Sequence, residues 1–217
     1  MPNDGVTIMP RFVHGWRNRD IGFSLFELLV VVAIALLVTA IGLPLMNNVI
    51  ANMRLRASMT SVSGLLQNTR MAAVKQNKIM TAKYTNLTSP PYSLIYYSKA
   101  ATDSSPLAVS DPQVEMEAPV SPFPSPNGPG APGAIAVSVL GFTPQGIDAS
   151  SSLYASFSSG GSPCVYSGGI CTNSGTTGFI EYFKDNRIGG SGGWAAISIT
   201  PAGRIKRWFW SGSAWTD

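Results

Sequence analysis

The chain has 217 residues, 45% hydrophobic and 12% charged, with 15 Lys+Arg against 11 Asp+Glu and a net charge of +4, too mild an excess of base to imply a nucleic-acid partner by itself. Its one histidine, His14, precedes the first apolar run, and its two cysteines are Cys164 and Cys171. That inventory lacks the usual metal ligands and the commonest general base, and no GxxxxGK[ST] or HExxH pattern occurs, so neither a metal nor a cofactor is expected and the chain is not read as an enzyme; chemistry built from Asp and Glu alone is the one catalytic route left.

The first element in chain order is the uncharged run 28–46, LLVVVAIALLVTAIGLPLM. As a helix it covers about 28 Å, close to the hydrocarbon thickness of a bilayer. Arg11, Arg17 and Arg19 precede it and favour a cytoplasmic N-terminus, although Arg54 and Arg56 follow closely. A cleaved secretory signal, a plain membrane anchor and a processed filament helix all fit the hydrophobicity. Glu27 separates them, because an acid at the mouth of the span has no role in the first two. Gly42 and Pro44 predict a kink at 40–44.

Residues 22–27, Gly-Phe-Ser-Leu-Phe-Glu, resemble the type IV prepilin signature. The resemblance implies cleavage between Gly22 and Phe23 by a prepilin peptidase and N-methylation of Phe23. It also implies insertion in the bacterial inner membrane, with the C-terminal domain in the periplasm, and assembly with other pilin or pseudopilin subunits. Pro44 would be residue 22 of the mature chain (44 − 22), where pilins frequently carry proline. Glu27 then has a use: unfavourable alone in lipid, it pairs with the terminal amine of a neighbouring subunit on assembly and sets register. An acid that snorkels to the membrane edge is the plainer alternative.

Beyond the span, Leu55, Met59, Val62, Leu66 and Ala73 recur at helical spacing, predicting a face that covers a sheet or, less simply, a partner groove, with the helix ending near Asn77. Strands are predicted at 78–84, 92–99, 134–142, 152–157, 178–183, 194–200 and 204–210, with Pro90 and Pro91 in the first turn. Residues 103–133 hold eight prolines and four acids with no base, and predict a long loop. Residues 54–99 hold seven bases and no acid, so the loop rests on the basic helix or the two faces are solvated apart. The fold class is α+β: a leader (1–22), a transmembrane and filament-core helix (23–50), and a β-rich domain (51–217) under the amphipathic half of the helix.

"LLQNTRMAAVKQNKIMTAKY" with Leu66, Arg70, Ala73 and Asn77, "GFTPQG" with Phe142, Pro144 and Gly146, and "ITPAGRIKRW" resemble the pseudopilins of the GspH/FimT family. That resemblance implies a minor subunit of a type IV pilus or a type II secretion pseudopilus.

Two places remain. Cys164 and Cys171 lie in a Gly/Ser-rich loop, and on an exported domain a disulfide is the simplest reading, ahead of free thiols or a metal site. The tail 204–210 carries Arg204, Lys206, Arg207, Trp208 and Trp210. Alternation puts Arg204, Lys206, Trp208 and Trp210 on one face, with Ile205, Arg207 and Phe209 on the other. Cations beside indoles suit phosphates and bases, and the FimT resemblance implies DNA contact through a Gly-Arg-x-Arg element, of which this chain keeps Gly203-Arg204-Ile205-Lys206. The structural alternative has the tryptophans plugging the end of a sandwich while the cations are solvated.

Overall fold

The structure is a computed structural model that describes residues 24–86, 92–117, 120–128, 130–147, 153–188 and 192–217. Two compact units divide it, Met1–Leu43 and Pro44–Asp217. Helix α1 (Leu25–Gln76) begins in the first and ends in the second, and its helical backbone continues through Pro44. In the first unit every described side chain from 24 to 41 is exposed, and the helix there is long and apolar enough to cross a membrane.

In the second unit α1 turns amphipathic. Ala51, Leu55, Met59, Val62, Leu65, Leu66 and Ala73 are buried at steps of three and four, the face that the sequence spacing predicts. Thr69 is fully buried on the same face, and its hydroxyl donates to Leu65 O at 2.8 Å. The helix ends where Asn77 adopts φ 50°, with Lys78 N–H donating to Ala73 O and Asn77 N–H to Val74 O, the paired bonds of a Schellman cap.

Two sheets complete the unit. The first runs in the order β3 (Gln113–Glu117), β2 (Tyr92–Ala100), β1 (Met80–Asn86), β6 (Ala155–Phe157), β7 (Pro163–Ser167), β8 (Ile170–Thr172). The second runs β12 (Trp215–Thr216), β11 (Ile205–Trp210), β10 (Trp194–Ile199), β9 (Gly178–Asp185), β4 (Val120–Phe123), and β5 (Pro144–Gly146) pairs in parallel with β9. The main core joins the helix face to Met80, Ala82, Leu94, Tyr96 and Phe157 of the first sheet and Phe179, Phe183, Ala195, Ile197 and Ile199 of the second. A second apolar cluster lies on the other face of β9–β11, where Ile180, Tyr182, Trp194, Ala196 and Trp208 meet Ile135, with Ala131 and Leu140 packed at its edge. Ile135 N–H donates to Tyr182 Oη at 3.0 Å and Trp215 Nε1–H to Gly133 O at 2.8 Å, so segment 131–140 is tied across that face. Both faces of the second sheet are therefore covered.

Three expectations are corrected. Residues 134–142 are not a strand: a single turn, α2 (Val137–Leu140), forms there and ends at Gly141 in the left-handed region. Ile135 and Leu140 of this segment pack on the second sheet rather than pair with it, while Val137 and Val139 stay exposed. Residues 103–133 are not one loop either, for they contain β3 and β4. Both are short strands at sheet edges, where a proline such as Pro122 is tolerated because one side of the ladder stays open. Asp103 and Asp111 of this segment do meet a base, but it is Lys99 on β2, at 3.5 and 3.3 Å, and not the helix. Third, 163–172 is a hairpin, β7–β8, rather than a bare loop. Its two-residue turn, Gly168-Gly169, has φ of 59° and 87°, a conformation that side chains with a Cβ rarely adopt. Pro90 and Pro91 lie outside the described residues.

Candidate functional site

Gly22 and Phe23, the expected cleavage and methylation positions, lie outside the described residues. Glu27 is in the first turn of α1, exposed among exposed apolar side chains, and no described residue forms an ion pair with it. The first turn of a helix suits an anion because its backbone N–H groups are unpaired. An acid held there, in a stripe of bare Leu, Val and Ile, leaves both the carboxylate and the apolar surface open to a partner.

Cys164 and Cys171 are joined in a disulfide with Cα atoms 5.5 Å apart, as the sequence suggests. The bond ties β7 to β8 across a very short hairpin. Hydrogen bonds alone hold such a pair of strands weakly.

The tail is not one surface. Arg207 turns toward α1, where its Nη1 donates to Thr60 Oγ1 at 2.6 Å, and beside it the Arg56 guanidinium stacks 4.4 Å from the centre of the Phe209 ring. Lys206 points the opposite way, pairs with Asp217 at 2.9 Å and lies 5.1 Å from the centre of the Trp208 ring. That lysine holds the Asp217 carboxyl below its usual value, first by hydrogen bonding and then by charge. Trp208 is 4% exposed, its Nε1–H donating to Ser198 Oγ at 2.8 Å, so it cannot stack on a base as the sequence reading supposed. The predicted alternation holds within β11, with Lys206 and Trp208 opposite Arg207 and Phe209, but Arg204 precedes the strand and borders the groove beside the helix; the burial of Trp208 depends on segment 131–140 covering its face. Of the expected contacts Arg204 and Arg207 are both exposed; Arg207 is held by Thr60, whereas Arg204, whose charge also reaches the Asp217 carboxylate, borders a groove of about 630 Å³ with Arg70, Met71, Val74 and Lys75.

Arg70 carries a role that the sequence does not announce. Its Nε donates to Gly161 O at 2.8 Å, Nη1 to Gly203 O at 2.9 Å and Nη2 to Ala202 O at 3.3 Å, so one guanidinium latches the helix to the β6–β7 and β10–β11 turns. Gly203 has φ 79°, and a Cβ there would stand 2.8 Å from Arg70 Cζ. The glycine ahead of Arg204 thus serves the latch. The "GFTPQG" element is structural too: the Phe142 ring covers Gly178, and Pro144–Gly146 forms β5 alongside the start of β9.

Glu181 is the other residue missed. It shares its strand face with Phe179 and Phe183 and points into the main core at 2% exposure. Tyr96 Oη faces it without closing a hydrogen bond of normal geometry, and neither that oxygen nor Glu181 Oε1 has a partner among the described residues. Burial pushes the carboxyl up to about 8, with Tyr96 only partly opposing, so Glu181 is protonated at neutral pH. An acid inside the apolar run "GFIEYF" was the available signal.

Against known proteins, residues 17–43 match the model of the prokaryotic N-terminal methylation motif, which spans Gly22, Phe23 and Glu27. The N-terminal segment is therefore prepilin-like. No curated protein matches the chain significantly. Among solved structures, the chain is similar to the type IV minor pilin FimU of Pseudomonas aeruginosa PAO1, at 14% identity and a TM-score of 0.39 over 76% of this chain and 95% of that one. Similarity at that level carries no inference about function.

Proposed function

We propose that the chain is a minor subunit of a type IV pilus or of a type II secretion pseudopilus, cleaved between Gly22 and Phe23, methylated on Phe23 and anchored in the inner membrane until it joins the filament. On this reading it is a structural protein and not an enzyme, its domain lies in the periplasm, and its partners are the prepilin peptidase and other pilin subunits. The observation that carries the proposal is the methylation motif at 17–43 running directly into an exposed apolar helix whose first turn holds a lone acid. In the membrane that acid is a liability; in a filament the cationic amine of a neighbour satisfies it. Glu27→Val tests this. Membrane insertion should persist or improve while incorporation into sheared filaments drops, and normal incorporation would sink the pairing.

A second reading, a filament subunit that also binds DNA during uptake, draws support from Arg204, exposed at the rim of a groove it shares with Arg70 and Lys75. Trp208 is withdrawn from that reading and Lys206 enters it only by releasing Asp217. Electrophoretic mobility shift at several salt concentrations separates the two. Arg204→Gln should flatten the log–log salt dependence by about 0.9 if one phosphate is contacted. Absence of any salt-dependent shift at low ionic strength leaves the filament-only reading.

A further inference from the structure

The outer face of the first sheet, turned away from the helix and the main core, carries a cleft of about 470 Å³. Register puts its side chains on one surface. Thr81 stands opposite Ser156, Lys83 opposite Tyr97, and Tyr166 lies two residues beyond Cys164, which stands opposite Ser156. Tyr154 closes the rim. The floor is fixed, because Thr81 Oγ1 and Ser156 Oγ hydrogen-bond each other at 2.9 Å and both residues are buried. Tyr97, Tyr154 and Tyr166 are half-buried around it. The wall that bears Tyr166 and Gly168 is the β7–β8 hairpin, which the Cys164–Cys171 bond holds in shape.

The chemistry of the lining selects a ligand class. Five of its named side chains end in hydroxyls, which both donate and accept hydrogen bonds. Among the described residues no carboxylate lines the cleft, so a cation finds no counter-charge in its lining. The one base among the described lining residues, Lys83, already donates to Asp103 O at 3.1 Å and offers no concentrated site for an anion. Tyrosine adds a flat apolar face beside each polar tip, which suits a molecule with C–H surfaces between hydroxyls. The volume falls within the usual range of small-molecule sites, about 300–1,000 Å³. From this arrangement we propose that the cleft binds a neutral saccharide, with Tyr97, Tyr154 and Tyr166 as the contact surface and the Thr81–Ser156 pair as the floor. The site is independent of the filament reading, since it uses none of the residues that support it.

The test is calorimetric titration of the full chain in a phosphocholine detergent, which avoids the sugar headgroups of alkyl glycosides. The probes are maltotriose, cellotriose and triacetylchitotriose, with adenosine monophosphate as an anionic aromatic comparator. At least one trisaccharide should bind with a millimolar or tighter dissociation constant. Tyr166→Ala and Tyr97→Ala should each weaken it at least tenfold while tryptophan emission stays that of the folded domain, and Tyr166→Phe should weaken it less. If a substitution perturbs the fold, protection of Tyr166 from nitration by the bound trisaccharide in the unaltered chain gives the same answer. Failure of all three trisaccharides to bind, binding of the nucleotide alone, or saccharide binding that survives both alanine substitutions in folded protein overturns the proposal.

Discussion

Replacing Glu181 by Gln should stabilise the β-rich unit at neutral pH and remove most of its pH dependence. In the unfolded chain the carboxyl ionises near 4.5; in the folded core burial raises it to about 8. Between those values the unfolded state has released its proton and the folded state has kept it, so stability falls as pH rises through this window and levels off above it. At about 1.4 kcal/mol per pH unit, the penalty is about 3 kcal/mol at pH 7 and about 5 kcal/mol above pH 8. Gln keeps the shape and cannot ionise. Its amide replaces a carboxyl whose Oε1 already lacks a partner, so little bonding is lost. Urea unfolding followed by tryptophan emission reports on this unit, because Trp194 and Trp208 are buried in the cluster beside β9. Wild type should lose stability from pH 5 to pH 8 while Glu181→Gln stays nearly flat, the two curves meeting near pH 4. Parallel curves across the range would mean that the carboxylate is solvated or paired in the folded protein, and the argument from burial would fail.

Arg70→Ala removes a charged donor from three backbone carbonyls and should destabilise the unit by about 2–3 kcal/mol in urea unfolding, with Arg70→Lys recovering only part because an ammonium lacks the planar fork. A loss below 0.5 kcal/mol in the alanine variant would show that water serves those carbonyls equally well. Removing the disulfide by Cys164→Ala with Cys171→Ala should cost about 2–3 kcal/mol by the loop-closure estimate, read as a lower urea midpoint. An unchanged midpoint would show that the hairpin holds without it.

What could be read from the chain alone follows from which forces are local. The helix face at Leu55, Met59, Val62, Leu66 and Ala73 was legible because periodicity records burial directly, and the helix end was legible at Asn77, where strand-rich sequence begins. Strands β9, β10 and β11 were legible as apolar runs between glycines. "AIAVSV" failed because its β-branched residues favour a strand by propensity, whereas only Ile135 is buried, against the neighbouring sheet, and Val137 and Val139 stay exposed in a single helical turn. The hairpin at 163–172 was missed although Gly168-Gly169 is a recognised turn signal; the cysteines drew the reading toward a loop. In the tail, period-two alternation separated Arg207 from Lys206 correctly. Nothing local told Trp208 that a segment some seventy residues earlier would cover it, nor told Arg70 that two distant turns would present carbonyls to it.

The most direct test of the filament reading is the intact mass and N-terminal sequence of the protein purified from membranes of cells with an active prepilin peptidase. The account expects a chain beginning at Phe23 with one added methyl on its amine, from the match at residues 17–43. A chain that retains Met1, or one that begins at Ile41 after cleavage within the apolar run, would contradict it.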